Sequence, residues 1–264
     1  RLTMAEYKNQ YPDYIKPSIR AFPNAFVNPH AGKKQEPRAR KQLIHIGGYK
    51  GNKNLFPLLQ AFLLIKDDFP DWDLQLFSTI PSNGGVVGTV IEFVKEWDLF
   101  DRVFLNQPVD DIHAEYAKTD IHVITSLSEG LPNCVAEAML HGVPSVAFAD
   151  SIGTNLLIKH NSNGLLASPK IRVESLAGSL AKLMKDDALR KQMGEECYRQ
   201  SAMFNPERVY DNWENLLKEA ASYKGCTDRL LQEQMERDRN RAQAMDQLRP
   251  QVLRKYLNFS NMFN

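Results

Sequence analysis

From residue 42 to about residue 170, short runs rich in β-branched and aromatic residues alternate with longer stretches of helical apolar spacing. The runs Leu43–Ile46, Asp73–Phe77, Arg102–Leu105, Ile121–Thr125 and Ser145–Phe148 predict strands, with Gly164–Ala167 a weaker sixth. Between them the spacing predicts helices over 54–67, 86–98, 110–118, 133–141 and 152–159. Strands and helices alternating in this way predict βαβ units, an α/β class and a parallel sheet of about six strands. Ligands of such sheets bind beyond the carboxyl ends of the strands. After residue 170 the pattern turns helical, over 172–185, 187–203 and 206–223. The segment 227–249 alternates charge and reads as a solvated helix, and 250–264 gathers Tyr256, Phe259, Met262 and Phe263. Residues 1–41 are broken by five prolines and end in a polar stretch, which reads as a linker.

Two loops of this rhythm carry candidate chemistry. The strand ending near Thr125 and Ser126 leads into Leu127-Ser128-Glu129-Gly130, and Pro132 is expected at the first helical position. Gly142, with Pro144 beyond it, suits the helix stop. The first turn then offers the N–H groups of Leu131, Asn133 and Cys134 as an anion site. Glu137, about one turn further in, has the chemistry to accept two hydroxyl hydrogens, as from a ribose diol, while Glu129 stays in the loop. Spacing alone leaves open that this is a capped helix with Glu137 placed for the helix dipole. The second loop, Gly47-Gly48-Tyr49-Lys50-Gly51-Asn52-Lys53, follows the first strand. Its glycines permit close backbone approach and its lysines offer cations, although it matches neither a dinucleotide fingerprint nor a P-loop.

Bulk properties narrow the function classes. A net charge of +1 provides no field for recruiting nucleic acid, so any polyanion binding is local. Three scattered cysteines make neither a disulfide framework nor a metal cluster, which predicts a reducing, cytoplasmic setting. No apolar run approaches the roughly 20 residues that span a bilayer. The chain opens on Arg1 rather than Met, so a cut amino terminus and a longer parent protein are expected.

Together these segments resemble the retaining glycosyltransferases of family 4, in the nucleotide-sugar-binding half of the GT-B fold. The resemblance rests on Lys53-Asn54-Leu55 with Ala61-Phe62, Leu74-Gln75-Leu76-Phe77, Ser126-Leu127-Ser128-Glu129-Gly130, Glu137-Ala138-Met139, Gly142-Val143-Pro144-Ser145-Val146 and Asn163-Gly164-Leu165-Leu166. It implies a Rossmann-like domain over 42–223, preceded by a linker and remnant of an acceptor domain over 1–41 and followed by a helical extension over 224–264. It implies that Glu129 contacts the donor sugar near its reacting carbon and that Glu137 binds the ribose. Lys53 and the backbone of Gly130, Leu131, Pro132 and Asn133 would hold the diphosphate. Gly47, Gly48 and Ser126 would line the donor site, and Gln107 with Pro108 would face the base. The implied activity is transfer from a uridine or guanosine diphosphate sugar to a glycan or lipid-linked acceptor, with no metal and no other cofactor.

Gly48 stands where the family carries an arginine five residues before Lys53, and Lys50 is the nearest substitute. The amino-terminal acceptor domain would need about 150 further residues, so this chain alone is expected to bind donor and transfer poorly. A sugar-nucleotide 2-epimerase or phosphorylase of the same fold is the first alternative, and a non-catalytic nucleotide-sugar-binding module the second. Asp71-Trp72-Asp73 has the letters of a metal motif but precedes a strand, so it reads as a turn. His122 and His141 read as structural, and a contact of 249–263 with the inner face of a membrane is an alternative reading of that tail.

Overall fold

The computed structural model describes residues 22–31, 38–49, 51–78 and 85–222, and beyond them residues 233, 235–237, 239, 240 and 243. Six strands alternate with helices: β1 (Lys41–Ile46), α1 (Phe56–Ile65), β2 (Trp72–Phe77), α2 (Gly85–Glu96), β3 (Val103–Asn106), α3 (Ile112–Tyr116), β4 (Ile121–Ile124), α4 (Asn133–Leu140), β5 (Ser145–Phe148), α5 (Thr154–Leu157) and β6 (Gly164–Ala167). Helices α6 (Arg172–Lys185), α7 (Asp187–Ser201) and α8 (Pro206–Ser222) follow. The strands form one sheet of order β3-β2-β1-β4-β5-β6, and every pairing is parallel. The expected α/β class, the six strands and the extra carboxyl-terminal helices are all present.

Burial on both faces explains the composition of the inner strands, since a covered parallel strand needs a continuous apolar run. Ile121–Ile124 and Ser145–Phe148 are buried at every position. Helix α6 answers with a stripe of Leu176, Ala177, Leu180, Leu183 and Met184, a helical repeat that seals one face. Trp72 is 1% exposed and lies between two cations, Lys41 Nζ at 5.6 Å and the Arg190 guanidinium at 5.0 Å from its ring. Asp73, the last residue of the metal-like triplet, sits within β2 rather than in a turn. Arg40 holds it through two hydrogen bonds of 2.8 and 2.7 Å.

The chain runs outward from β1 to β3 and returns to β4 on the other side of β1, so the strand order reverses between β1 and β4. That reversal opens a crevice at the carboxyl ends of the two strands, where open α/β sheets bind ligands. Helix α4 starts just beyond β4 and ends at His141, where Gly142 adopts φ +65°. A Cβ at Gly142 would stand 2.4 Å from the Tyr198 ring, so both the backbone angle and the space call for glycine there. Residues 22–31 run beside α4: Asn24 Nδ2 donates to Asn133 Oδ1 at 3.2 Å, and Asn28 Nδ2 to the Leu140 carbonyl at 2.9 Å.

Contacts divide the chain into two units at Tyr210 and Asp211. The first holds the sheet and its helices. The second begins inside α8, and its described residues at 233, 235–237, 239, 240 and 243 are helical. The expected helix over 227–249 coincides with them in part. The rest of that segment, the 250–264 tail with its membrane contact, Cys226, Lys50 and most of 1–41 lie outside the described residues.

Candidate active site

The carboxyl ends of β1, β2 and β3 open into a cleft of about 350 Å³, lined by Ile46, Gly47, Gly48, Phe77, Ser78, Pro108, Val109, Ile112 and Glu137. Four residues singled out from the sequence, Gly47, Gly48, Pro108 and Glu137, therefore share one wall. Gln107 is exposed beside Pro108 at the end of β3 and is not part of that lining. A Cβ built on Gly47 would lie 3.2 Å from His45 Nε2, which is tight, and 3.5 Å from Lys53 Cδ, an ordinary contact.

The remaining candidates gather where β4 hands over to α4. Lys53 Nζ donates to Glu129 Oε1 at 2.6 Å, joining loops that lie 76 residues apart in sequence. The backbones of the two loops are fastened as well: Thr125 Oγ1 donates to the Lys53 carbonyl at 3.0 Å, and Leu127 N–H to the Asn52 carbonyl at 2.9 Å. Glu129 N–H donates to the Ile152 carbonyl at 2.8 Å, and Ser151 Oγ to the Ser126 carbonyl at 2.6 Å. The Ser126 hydroxyl is buried and makes no hydrogen bond among the described residues. Gly130 and Asn133 are exposed, Leu131 is half-buried and Pro132 is buried.

Pro132 corrects an expectation. It is the residue before the helix, with φ −74° and an extended ψ of 103°, and α4 begins at Asn133. Proline fixes φ but leaves ψ free, so its ring suits either position. Its carbonyl accepts from Val135 and Ala136 at 3.1 and 3.3 Å, and the N–H groups of Asn133 and Cys134 lie ahead of those bonds at the helix start.

The electrostatics of the two carboxylates differ. Burial pushes the Glu137 carboxyl above its ordinary range, opposed by the nearby His113 and by the neighbouring Tyr116 hydroxyl. That hydroxyl donates to the Cys134 carbonyl at 2.8 Å and so ties α3 to the first turn of α4. The Cys134 thiol is pushed up to about 12, first by burial, then by Glu137, with Lys53 opposing and Glu129 adding. One thiol at the helix start thus feels all three candidate charges.

Sequence reasoning missed several residues. His45 is buried, and its Nδ1 meets the Val123 carbonyl at 3.0 Å, so Nδ1 carries the hydrogen and Nε2, beside Gly47, the lone pair. Burial drives its pKa down to about 4, with the Lys53 charge acting in the same direction. His30, His113 and His141 converge from three segments: His113 Nδ1 lies 3.0 Å from His141 Nε2, and His30 Nε2 2.7 Å from Asp111 Oδ2. Their spacing in sequence carried no signal. Among the described residues, no group of three or more His, Cys, Asp or Glu side chains is arranged to hold a metal ion.

The family model described as "Glycosyl transferases group 1" matches residues 28–200. An exopolysaccharide phosphotransferase of Streptomyces coelicolor is 29% identical over 207 residues, which are 78% of this chain and 21% of that protein. An uncharacterized glycosyltransferase of Haemophilus influenzae is 28% identical over 75% of this chain and 54% of its own length. Among solved structures, a Staphylococcus aureus TarM variant in complex with UDP superposes with a TM-score of 0.67 at 22% identity, covering 81% of this chain and 42% of that one. The pneumococcal O-GlcNAc transferase GtfA in complex with UDP and GlcNAc gives 0.63 at 18% identity, over 69% and 36%. These solved structures establish the shared fold. The chain spans only 21% and 54% of the two curated relatives.

Proposed function

The chain belongs to the group 1 glycosyl transferases, and from that premise we propose that it is the donor-binding half of a retaining, family 4-type glycosyltransferase using a nucleoside diphosphate sugar. The observation that carries this reading is the convergence described above. Gly47, Gly48, Pro108 and Glu137 face one cleft at the strand ends, and Lys53 meets Glu129 at 2.6 Å where α4 begins. In this reading Glu137 accepts hydrogens from the ribose, and Gln107 with Pro108 faces the base. Lys53 and the N–H groups over Gly130, Leu131, Asn133 and Cys134 bind the diphosphate, and Ser126 lies beneath them. Each hydrogen bond to a charged group contributes about 1.5–3 kcal/mol, so two or three suffice to hold a diphosphate. UDP in the TarM and GtfA complexes supports uridine over guanosine.

Glu129 acts at the donor sugar. The bond between the anomeric carbon and the diphosphate oxygen breaks, and the acceptor oxygen bonds to the same face. The acceptor's proton passes to a phosphate oxygen of the leaving group. Positive charge develops on the sugar ring, and negative charge on the diphosphate is met by Lys53 and the helix start. The acceptor is a glycan or lipid-linked saccharide held against an amino-terminal domain, on the cytoplasmic side where nucleotide sugars are made.

A thermal-shift series with UDP, GDP and their sugar conjugates tests the reading. The correct ligand at 100 times its dissociation constant adds about 2.7 kcal/mol of stability. No shift with any of them sinks the donor-domain assignment. Replacing Glu137 by Ala is expected to weaken UDP binding at least about tenfold, through the loss of its charged hydrogen bonds to the ribose. The same change leaves the melting temperature unchanged or raises it, because the carboxyl is held above its ordinary pKa by burial. Unaltered UDP affinity in that variant would show that Glu137 does not bind the ribose.

One observation favours the non-catalytic alternative: Gly48 brings no cation where the resemblance calls for arginine. Glu129→Gln in a transfer assay separates the two readings, since it slows transfer by the full-length enzyme, whereas a pure binding module has no transfer to slow.

A further inference from the structure

Lys53 and Glu129 are, on the reading above, the cation for the donor's diphosphate and the carboxylate for its sugar, yet they are each other's partner. Lys53 Nζ sits 2.6 Å from Glu129 Oε1, and the two side chains are 22% and 16% exposed. Both are anchored close to this contact. The Lys53 carbonyl accepts from Thr125 Oγ1, and the Glu129 N–H donates to Ile152. The carbonyls of Glu129 and Gly130 rest on Gly153, at 2.2 and 2.6 Å from where its Cβ would be. Both backbones are held in place, so either charge leaves the other only by a change of side-chain rotamer. A diphosphate that takes Lys53 does so beside a carboxylate of its own sign.

We propose that Glu129 makes the site discriminate the sugar-bearing donor from the bare nucleoside diphosphate, by competing with the diphosphate for Lys53. The inference rests on the proposed donor site and goes beyond it. An intact donor brings sugar hydroxyls that hydrogen-bond the carboxylate and compensate it for the shared lysine. The bare diphosphate brings no such hydroxyls and carries an additional negative charge on its terminal phosphate. That charge draws more heavily on Lys53, so the product takes more of the shared cation while offering Glu129 nothing in return. Loss of the sugar thereby converts Glu129 from a ligand of the donor into a competitor of the product. The same carboxylate that serves transfer then speeds release of the spent nucleotide.

Glutamine keeps the shape of Glu129 and removes its charge. Titration calorimetry of the 264-residue chain and of Glu129→Gln, with UDP, GDP and UDP-glucose, reads the effect directly. The variant is expected to bind UDP about tenfold tighter than the parent. UDP-glucose is expected to gain less or to lose affinity, so that the preference for sugar-bearing over bare nucleotide shrinks. In a Lys53→Met background, the gain from Glu129→Gln should largely disappear, because the contested cation is gone. Melting curves confirm that each variant is folded before titration. A parent that binds UDP and a folded Glu129→Gln that binds it no tighter overturn this inference and leave the donor-site assignment standing. An undiminished gain without Lys53 also overturns it, since plain repulsion would then suffice. A parent that binds none of the three nucleotides overturns the functional reading, and this inference with it.

Discussion

Replacing Gly153 by Ala is expected to destabilise the fold by about 3–5 kcal/mol and to abolish nucleotide binding, through a residue that makes no side-chain contact at all. Gly153 has φ +86° and ψ −42°, a region that L side chains enter at a cost. Its missing Cβ is also what lets the backbone pass: the added carbon would lie 2.2 Å from the Glu129 carbonyl oxygen, 2.6 Å from that of Gly130 and 2.8 Å from the Glu129 carbonyl carbon. All three are main-chain atoms, which do not swing aside as a flexible side chain does. Either the turn before α5 moves, or the loop carrying Glu129 moves. Both routes break the hydrogen bond from Glu129 N–H to the Ile152 carbonyl and displace the 130–133 backbone on which the proposed diphosphate site rests. Gly178→Ala is the matched control, because a Cβ there meets nothing within 4 Å and its helix prefers alanine. Urea unfolding of the two variants checks the contrast. A Gly153→Ala protein within 1 kcal/mol of its parent, or one that still titrates with UDP like its parent, contradicts the packing argument.

Acidification from pH 7 to pH 5 is expected to remove about 4–6 kcal/mol of folding stability, a large share of what a domain of this kind possesses. The cause is three histidines that fold in their neutral form. Burial lowers His45 from 6.5 to about 4 and His122 from 6.5 to about 3. His141 falls to about 4, through burial and then the neighbouring His113. In the unfolded chain each titrates near 6.5, so below that pH the unfolded state takes up protons that the folded state refuses. The stability they contribute is complete above pH 6.5 and is lost as pH falls from there toward 4. Each costs about 2 kcal/mol by pH 5, at 1.36 kcal/mol per pH unit. Glu137 works in the opposite sense, since its raised pKa lets the folded state bind a proton earlier. It is one group against three and does not reverse the sign. Urea unfolding at pH 7, 6 and 5 measures the slope. Equal stability at pH 7 and pH 5 would show that these rings find protons without unfolding.

Much of the fold was legible because the sheet is buried on both faces and its strands are uninterrupted apolar runs. Ser145–Phe148 and Gly164–Ala167 were placed to the residue, each bounded by a breaker: Pro144 before the first, Gly164 opening the second. The start of β1 was not legible. Lys41 and Gln42 are polar, and only their pairing with Trp72 and Asp73 draws them into the strand. Helix α3 starts later than its pattern, because Asp111 caps it by accepting from Ala114 N–H at 3.2 Å. At the site, local motifs brought attention to Glu129, Glu137 and Lys53, but no local pattern signals that Lys53 and Glu129 touch. The same holds for Tyr116, whose hydroxyl bridges α3 and α4, and for the three converging histidines. Such contacts join distant segments through the fold, and hydrophobic periodicity contains nothing of them.

The reversal of strand order has a kinetic consequence. Pairing β1 with β4 brings His45 beside Val123, 78 residues away in sequence, whereas β4, β5 and β6 follow one another closely along the chain. Closing so wide a span forfeits chain entropy before any contact repays it, and contacts of high sequence separation form slowly. The crevice between β1 and β4 therefore assembles among the last parts of the molecule, after the two halves of the sheet that flank it. A nucleotide that binds there, as proposed, is then expected to stabilise the finished protein without hastening its formation.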